Sequence, residues 1–169
     1  GVKNGYHGIR LGTEPLPSET AHKYSNMNVE ANTKLVWMSA AEVAFLRAEG
    51  ALRGWDMGGT AKSFYEQGVR MSFEENNAAG VDDYLADHTS TPGAFADNVG
   101  SDNYTFSSRV TPAWDDNAGF EAQLERIITQ KWIANYPDGP EGWSEYRRTG
   151  YPEVIPVVRN SSNGTIDTQ

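Results

Sequence analysis

Residues 39–75 read SAAEVAFLRAEGALRGWDMGGTAKSFYEQGVRMSFEE, and this stretch decides the fold. Ser39 and Glu42 have the spacing of a capping box, in which each side chain satisfies the other residue's free backbone N–H. Met38 before the cap and Val43 after it suit a hydrophobic staple. A helix is therefore predicted from Ser39 through Leu52, with Glu49 and Arg53 paired at i,i+4 on its wet face and Gly54 as its stop. A second helix is predicted from Thr60. There Ala61, Phe64, Tyr65, Gly68 and Val69 make the i, i+3, i+4, i+7, i+8 stripe of an amphipathic helix. Asn76, Asn77 and Gly80 end it. So short a connection implies an antiparallel αα-hairpin.

Outward from the hairpin, residues 1–34 form a turn-rich lead-in, with Asn4-Gly5, Pro15 and Pro17 as breakers. Residues 77–116 form a long loop rich in Asp, Asn, Ser, Thr, Pro and Gly. It carries aromatic islands at Tyr84, Phe95, Tyr104, Phe106 and Trp114. A helical turn is expected at 82–85 and a short extended pair within 99–110. Residues 117–152 hold a long helix over about 117–136, striped by Phe120, Leu124, Ile127, Ile128 and Trp132. A short helix follows, opened by Pro140, with Glu145 in reach of Arg148. Residues 153–169 are a loop-like tail. The expectation is a single, mainly α-helical domain over 1–169, with long irregular loops.

Composition removes several functions. The chain has 169 residues, with 23 acidic and 14 basic side chains and a net charge of −9. A nucleic-acid surface needs clustered Lys and Arg, and the densest basic spot is the pair Arg147-Arg148. No nucleic-acid partner is expected, and no polybasic docking on anionic lipid. With no cysteine, disulfides, thiolate metal sites and cysteine nucleophiles are excluded. No apolar run is long enough to span a membrane as a helix. The first residues are not a signal peptide, and the chain is expected to be part of a longer one.

Candidate chemistry is sparse. His7, His22 and His88 are too scattered for zinc spacing. A Ser-His-Asp set is fixed by space rather than by sequence, but no G-x-S-x-G elbow supports one. The pairs Glu74-Glu75, Asp82-Asp83 and Asp115-Asp116 read as solvated faces or helix starts rather than glycosidase acids. Asp97, Asn98, Asp102 and Asn103 lack the spacing of a calcium loop. No phosphate-binding motif occurs. Neither metal nor cofactor is expected, and the sequons at Asn103, Asn160 and Asn163 follow from loop composition. The aromatic loop is the better candidate. Tyr104, Phe106 and Trp114 among Asn and Asp have the character of a sugar-binding surface, flat rings for C–H faces and polar side chains for hydroxyls. Their other reading is packing of the loop onto the helices.

Ala61, Tyr65 and Gly68 match the small-x3-aromatic-x2-small pattern of a tetratricopeptide helix. Residues 124–152 contain L-E-R-I-I-T-Q-K-W-I-A-N-Y, then G-P-E-G-W-S-E-Y-R-R-T-G-Y-P. This resembles the signature near the C-terminal end of SusD/RagB-like proteins. The run 38–49, with its A-E-x-x-x-L-x-A-E pattern, resembles another helix of that family, and residues 51–55 continue the match. The resemblance implies an α-helical, tetratricopeptide-like scaffold in an outer-membrane, cell-surface lipoprotein of Bacteroidetes. It implies a non-enzymatic protein that binds glycan or another nutrient and partners a TonB-dependent transporter. Members are about three times longer, so this chain would be largely scaffold, and no binding residue carries over. The alternatives are a protein-interaction module without its own ligand and, last, a glycoside hydrolase. From the residues alone, Trp143 and Tyr146 are expected to bury against the preceding helix, with Arg147 and Arg148 bonding carbonyls or carboxylates.

Overall fold

The computed structural model describes residues 6–10, 23–34, 36–97, 103–157 and 163. They hold five helices, α1 (Ala40–Leu52), α2 (Ala61–Glu75), α3 (Val81–Leu85), α4 (Phe120–Ala134) and α5 (Gly139–Thr149). No strand occurs among the described residues; Phe95 and Tyr104 form one isolated antiparallel bridge. The chain divides into two compact units. One comprises Leu35–Pro92 and Ser108–Glu153, the other Gly1–Lys34, Gly93–Ser107 and Val154–Gln169. The first contains every helix.

In the helical unit α1 and α2 form the antiparallel hairpin. The Glu75 carboxylate, at the end of α2, accepts from the Ala40 N–H at 3.1 Å, at the start of α1. The Ser39 hydroxyl caps α1 by accepting from the Glu42 N–H at 3.0 Å. The Glu42 carboxylate turns instead towards Lys131, 3.5 Å away. Met38 and Val43 are both exposed, so the expected staple does not bury them. α2 has the reciprocal box, with Thr60 and Ser63 as its two members. Asn77 and Gly80 take positive φ and end the hairpin.

Close approach explains the pattern at Ala61, Tyr65 and Gly68. A Cβ on Gly68 would sit 2.7 Å from the Phe45 ring, well inside contact distance, so glycine lets α2 lie against that ring. Phe45 and Tyr65 meet edge to face at 6.2 Å. Around them gather Ala41, Ala48, Phe64, Val69, Leu124, Ile127 and Ile128, which places α4 on the hairpin. Trp114 completes this core, its ring 5.3 Å from Tyr65. The Tyr65 hydroxyl donates to the Pro112 carbonyl at 2.6 Å, fixing the loop ahead of α4.

Several details differ from the sequence expectation. Glu49 and Arg53 do pair, at 2.8 Å, but Glu49 is buried rather than on the wet face. Phe120 and Trp132 are exposed at the edges of the α4 stripe. α5 is capped by the Asp138 carboxylate, which accepts from the Glu141 N–H, one residue before the expected start. Trp143 is exposed, not buried; its ring stacks on Tyr146 at 5.7 Å. Asn4-Gly5, Pro15, Pro17, His22, Asn98, Asp102 and Asn160, and the 99–102 part of the expected extended pair, lie outside the described residues.

Candidate functional site

The residues of the two quoted signatures meet in a buried charge cluster. Glu42 and Glu49 lie seven residues apart on α1 and so face one way. Lys131 projects from α4. It is 1 % exposed, and its ammonium lies 2.9 Å from Glu145 and 3.1 Å from Glu141 on α5, besides Glu42. Arg148 on α5 bridges back, donating through Nη1 and Nη2 to the two Glu49 oxygens and through Nη2 to Glu145, each at 2.6 Å. One face of α1, α4 and α5 is thereby clamped by charge-assisted hydrogen bonds.

Burial acts against every charge here, and the partners decide the net direction. Glu49 is pushed up by burial, but Arg148 and Arg53 outweigh this and hold its carboxyl below the ordinary range. Burial dominates at Glu42 and raises it, Lys131 offsetting only part. Lys131 is pushed down by burial, and Glu145 and Glu141 more than reverse that. The cluster is saturated with its own partners and is a clamp. Gly150 at positive φ and the Thr149 hydroxyl, which accepts from the Tyr151 N–H, turn the chain out of α5.

The second concentration of chemistry lies in the other unit. The His7 ring is sandwiched between Phe95 at 4.9 Å and Tyr24 at 5.6 Å, both nearly parallel to it. Tyr24 is buried and donates its hydroxyl to Asp97 at 3.0 Å. The bridge from Phe95 leads to Tyr104, whose ring meets Phe106 edge to face at 5.0 Å. Burial alternates along 103–106, with Asn103 and Thr105 exposed and Tyr104 and Phe106 half-buried on one face. The Asn103 side-chain carbonyl accepts from the Asp97 N–H at 2.9 Å, tying the loop across.

The three candidate aromatics are thus divided. Tyr104 and Phe106 are joined in the loop unit, while Trp114 is buried in the core of the helical unit, its indole N–H donating to Asp116. Sequence reading missed Lys131 and the part of His7 in the stack. Lys131 had a signal: it falls at i+4 from Ile127 and i+3 from Ile128, inside the apolar stripe, where a lysine must be paired. His7 had none, because its partners lie 17 and 88 residues away in sequence. Among the described residues, no group of three His, Asp or Glu side chains has metal-binding geometry. Among the described residues, no helix is long and apolar enough to cross a membrane.

The family model for SusD-like proteins, described as Susd and RagB outer membrane lipoprotein, matches residues 2–169. The chain belongs to the SusD-like family. A chitin-binding SusD homolog from Flavobacterium johnsoniae is 45 % identical with a TM-score of 0.89. The match covers 98 % of this chain and 35 % of that one. A SusD homolog from Bacteroides thetaiotaomicron is 51 % identical, TM-score 0.86, over 91 % of this chain and 33 % of that one. One from Bacteroides uniformis is 50 % identical, TM-score 0.82, over 86 % and 30 %. The chain spans about a third of the length of these SusD homologs. No curated protein matched. The mainly α, tetratricopeptide-like hairpin is the fold of the SusD structures it matches, and the family is one of outer-membrane lipoproteins.

Proposed function

We propose that this chain is part of a cell-surface glycan-binding protein, lipid-anchored in the full protein, that hands its ligand to a TonB-dependent outer-membrane transporter and performs no chemistry itself. The observation that carries this reading is the likeness, over 98 % of the chain, to a homolog described as chitin-binding. The helical unit then serves as scaffold. The contact face within this chain is assigned to Tyr104 and Phe106. Their edge-to-face contact fixes the ring angles, and their half-exposure leaves ring surface for the C–H face of a sugar. The exposed Asn103 beside them, its carbonyl oxygen accepting from the Asp97 N–H, offers its NH2 as a donor to hydroxyls. Trp114 supplies packing, because its ring is spent on Tyr65 and the core.

The test is a sedimentation assay of the full-length protein with insoluble chitin and a panel of other polysaccharides. Retention on at least one polysaccharide is expected. Replacing Tyr104 and Phe106 together by alanine should weaken it about tenfold, equivalent to roughly 1.4 kcal/mol. Retention on none of the panel would remove the reading. Undiminished retention of the double variant would move the contact face elsewhere.

A further inference from the structure

Glu42 is the capping-box residue that does not cap. Its backbone N–H donates to Ser39, but its carboxylate leaves the start of α1 and enters the clamp, where it is buried. Four carboxylates meet there, those of Glu42 and Glu49 from α1 and of Glu141 and Glu145 from α5. Three cations face them, Arg53, Lys131 and Arg148. With every group ionised, the cluster holds one negative charge in excess. A buried charge without full compensation is costly enough that the group bearing it takes up a proton instead.

Distances decide which carboxylate that is. Glu49 has two guanidinium partners, Arg148 at 2.6 Å and Arg53 at 2.8 Å. Glu145 has Arg148 at 2.6 Å and Lys131 at 2.9 Å. Glu141 has Lys131 at 3.1 Å, and its side chain is 36 % exposed, so solvent screens its charge. Glu42 has Lys131 alone among the described residues, at 3.5 Å, and shares that ammonium with two nearer carboxylates. Glu141 also lies within hydrogen-bonding reach of Glu42, and two carboxyl groups so placed resist losing both protons. From α2, Glu75 reaches the same end of α1, where its carboxylate is occupied by the Ala40 and Ala41 N–H groups at 3.1 and 3.4 Å. Burial pushes the Glu42 carboxyl up, Lys131 offsets only part of this, and Glu141 adds to the rise.

We propose that the clamp is a proton switch centred on Glu42: between neutral and mildly acidic pH its carboxyl takes up one proton from solvent and donates it in a hydrogen bond to Glu141, and the contact of α1, α4 and α5 passes from one excess buried charge to balance. Lys131 is then left to Glu141 and Glu145, and α5 is held more firmly against α1. A carboxyl raised by folding contributes stability at acidic pH that is lost as pH rises through its folded value. Glu49, held low, contributes stability that is lost only as pH falls from its ordinary 4.5 through the lowered folded value. The docking of α5 is therefore tightest in the mildly acidic range and loosens on either side of it.

Hydrogen exchange of the α5 amides in the full-length protein, read by mass spectrometry at about pH 5.5 and about pH 7.5 and corrected for the intrinsic pH dependence of exchange, tests this. In the parent, opening of α5 should be severalfold rarer at the lower pH, within the limit of about tenfold per pH unit that a single proton sets. Glu42→Gln has the shape and the charge of the protonated carboxyl at every pH. It should erase the difference, and at the higher pH it should open no more often than the parent. Equal opening of the parent at both pH values would overturn the proposal. So would a difference that survives in Glu42→Gln, or failure of that variant to fold, since the carboxamide reproduces the protonated state. None of these readouts involves a glycan.

Discussion

Replacing Lys131 by methionine keeps an unbranched side chain one atom shorter and removes one positive charge from a place with almost no water. The ammonium serves three carboxylates, at 2.9, 3.1 and 3.5 Å. Glu141 is partly exposed and turns to solvent when released. The Glu42 and Glu145 side chains are each 7 % exposed. Glu145 keeps Arg148; among the described residues Glu42 keeps no cation. Breaking a buried pair on one side costs about 3–5 kcal/mol. Glu42 limits that cost by taking up a proton, which its raised pKa already favours. The expected loss is therefore about 3 kcal/mol near neutral pH, a drop of roughly 10 °C in Tm for a domain of this size. Urea unfolding followed by far-UV circular dichroism measures it. Two signatures separate this mechanism from simple loss of packing. The triple variant Lys131→Met, Glu42→Gln, Glu145→Gln should regain at least half of the loss. The single variant should also be less handicapped at about pH 4 than at about pH 7, because protonation removes the stranded charge. A loss below about 1 kcal/mol, or one unchanged by pH and by the carboxamides, would refute the clamp.

Three further outcomes follow from the packing and the charges. Gly68→Ala places a methyl against the Phe45 ring and should cost about 1–3 kcal/mol by overpacking; a neutral thermal melt would show that the hairpin does not need that approach. Tyr65→Phe strands the half-buried Pro112 carbonyl and should cost about 1–2 kcal/mol, with the loss visible as faster amide exchange at 113–114. Glu49 is held below its ordinary value of 4.5, so the folded state binds that proton more weakly than the unfolded chain does. Its stabilisation is complete above that value and is lost as pH falls through the lowered folded one. Glu49→Gln should therefore be less stable than the parent at neutral pH and show a flatter acid limb. An acid limb as steep as the parent's would place the sensitivity elsewhere.

Periodic and local features were legible in the sequence. The hairpin and the helix at α4 announce themselves by apolar spacing, the hairpin also by its starts at Ser39 and Thr60, and α5 by Pro140 after a turn. What sequence spacing misjudged is which polar groups are buried. Glu49 looks like the solvent half of an i,i+4 pair until Arg148, 99 residues on, is found bonded to it. Trp132 and Trp143 look like core residues because they are large and regularly placed, yet the described residues leave them exposed. The stretches that carried the family resemblance include Glu42, Glu49, Lys131, Glu145 and Arg148, the charged side chains that meet in the clamp. The aromatic loop was legible only as composition. Its partners His7 and Tyr24 come from the far lead-in, and no local period connects them.

In the proposed function this scaffold belongs to a glycan binder whose contacts from this region come from the loop unit. Calorimetric titration of the full protein with chitohexaose, beside the same protein carrying Tyr104→Ala and Phe106→Ala, addresses it most directly. Saturable binding with parent protein and about tenfold weaker binding with the variant is the expected result. Equal affinity in the two proteins, or no heat with chitohexaose and with every other oligosaccharide class tried, would contradict it.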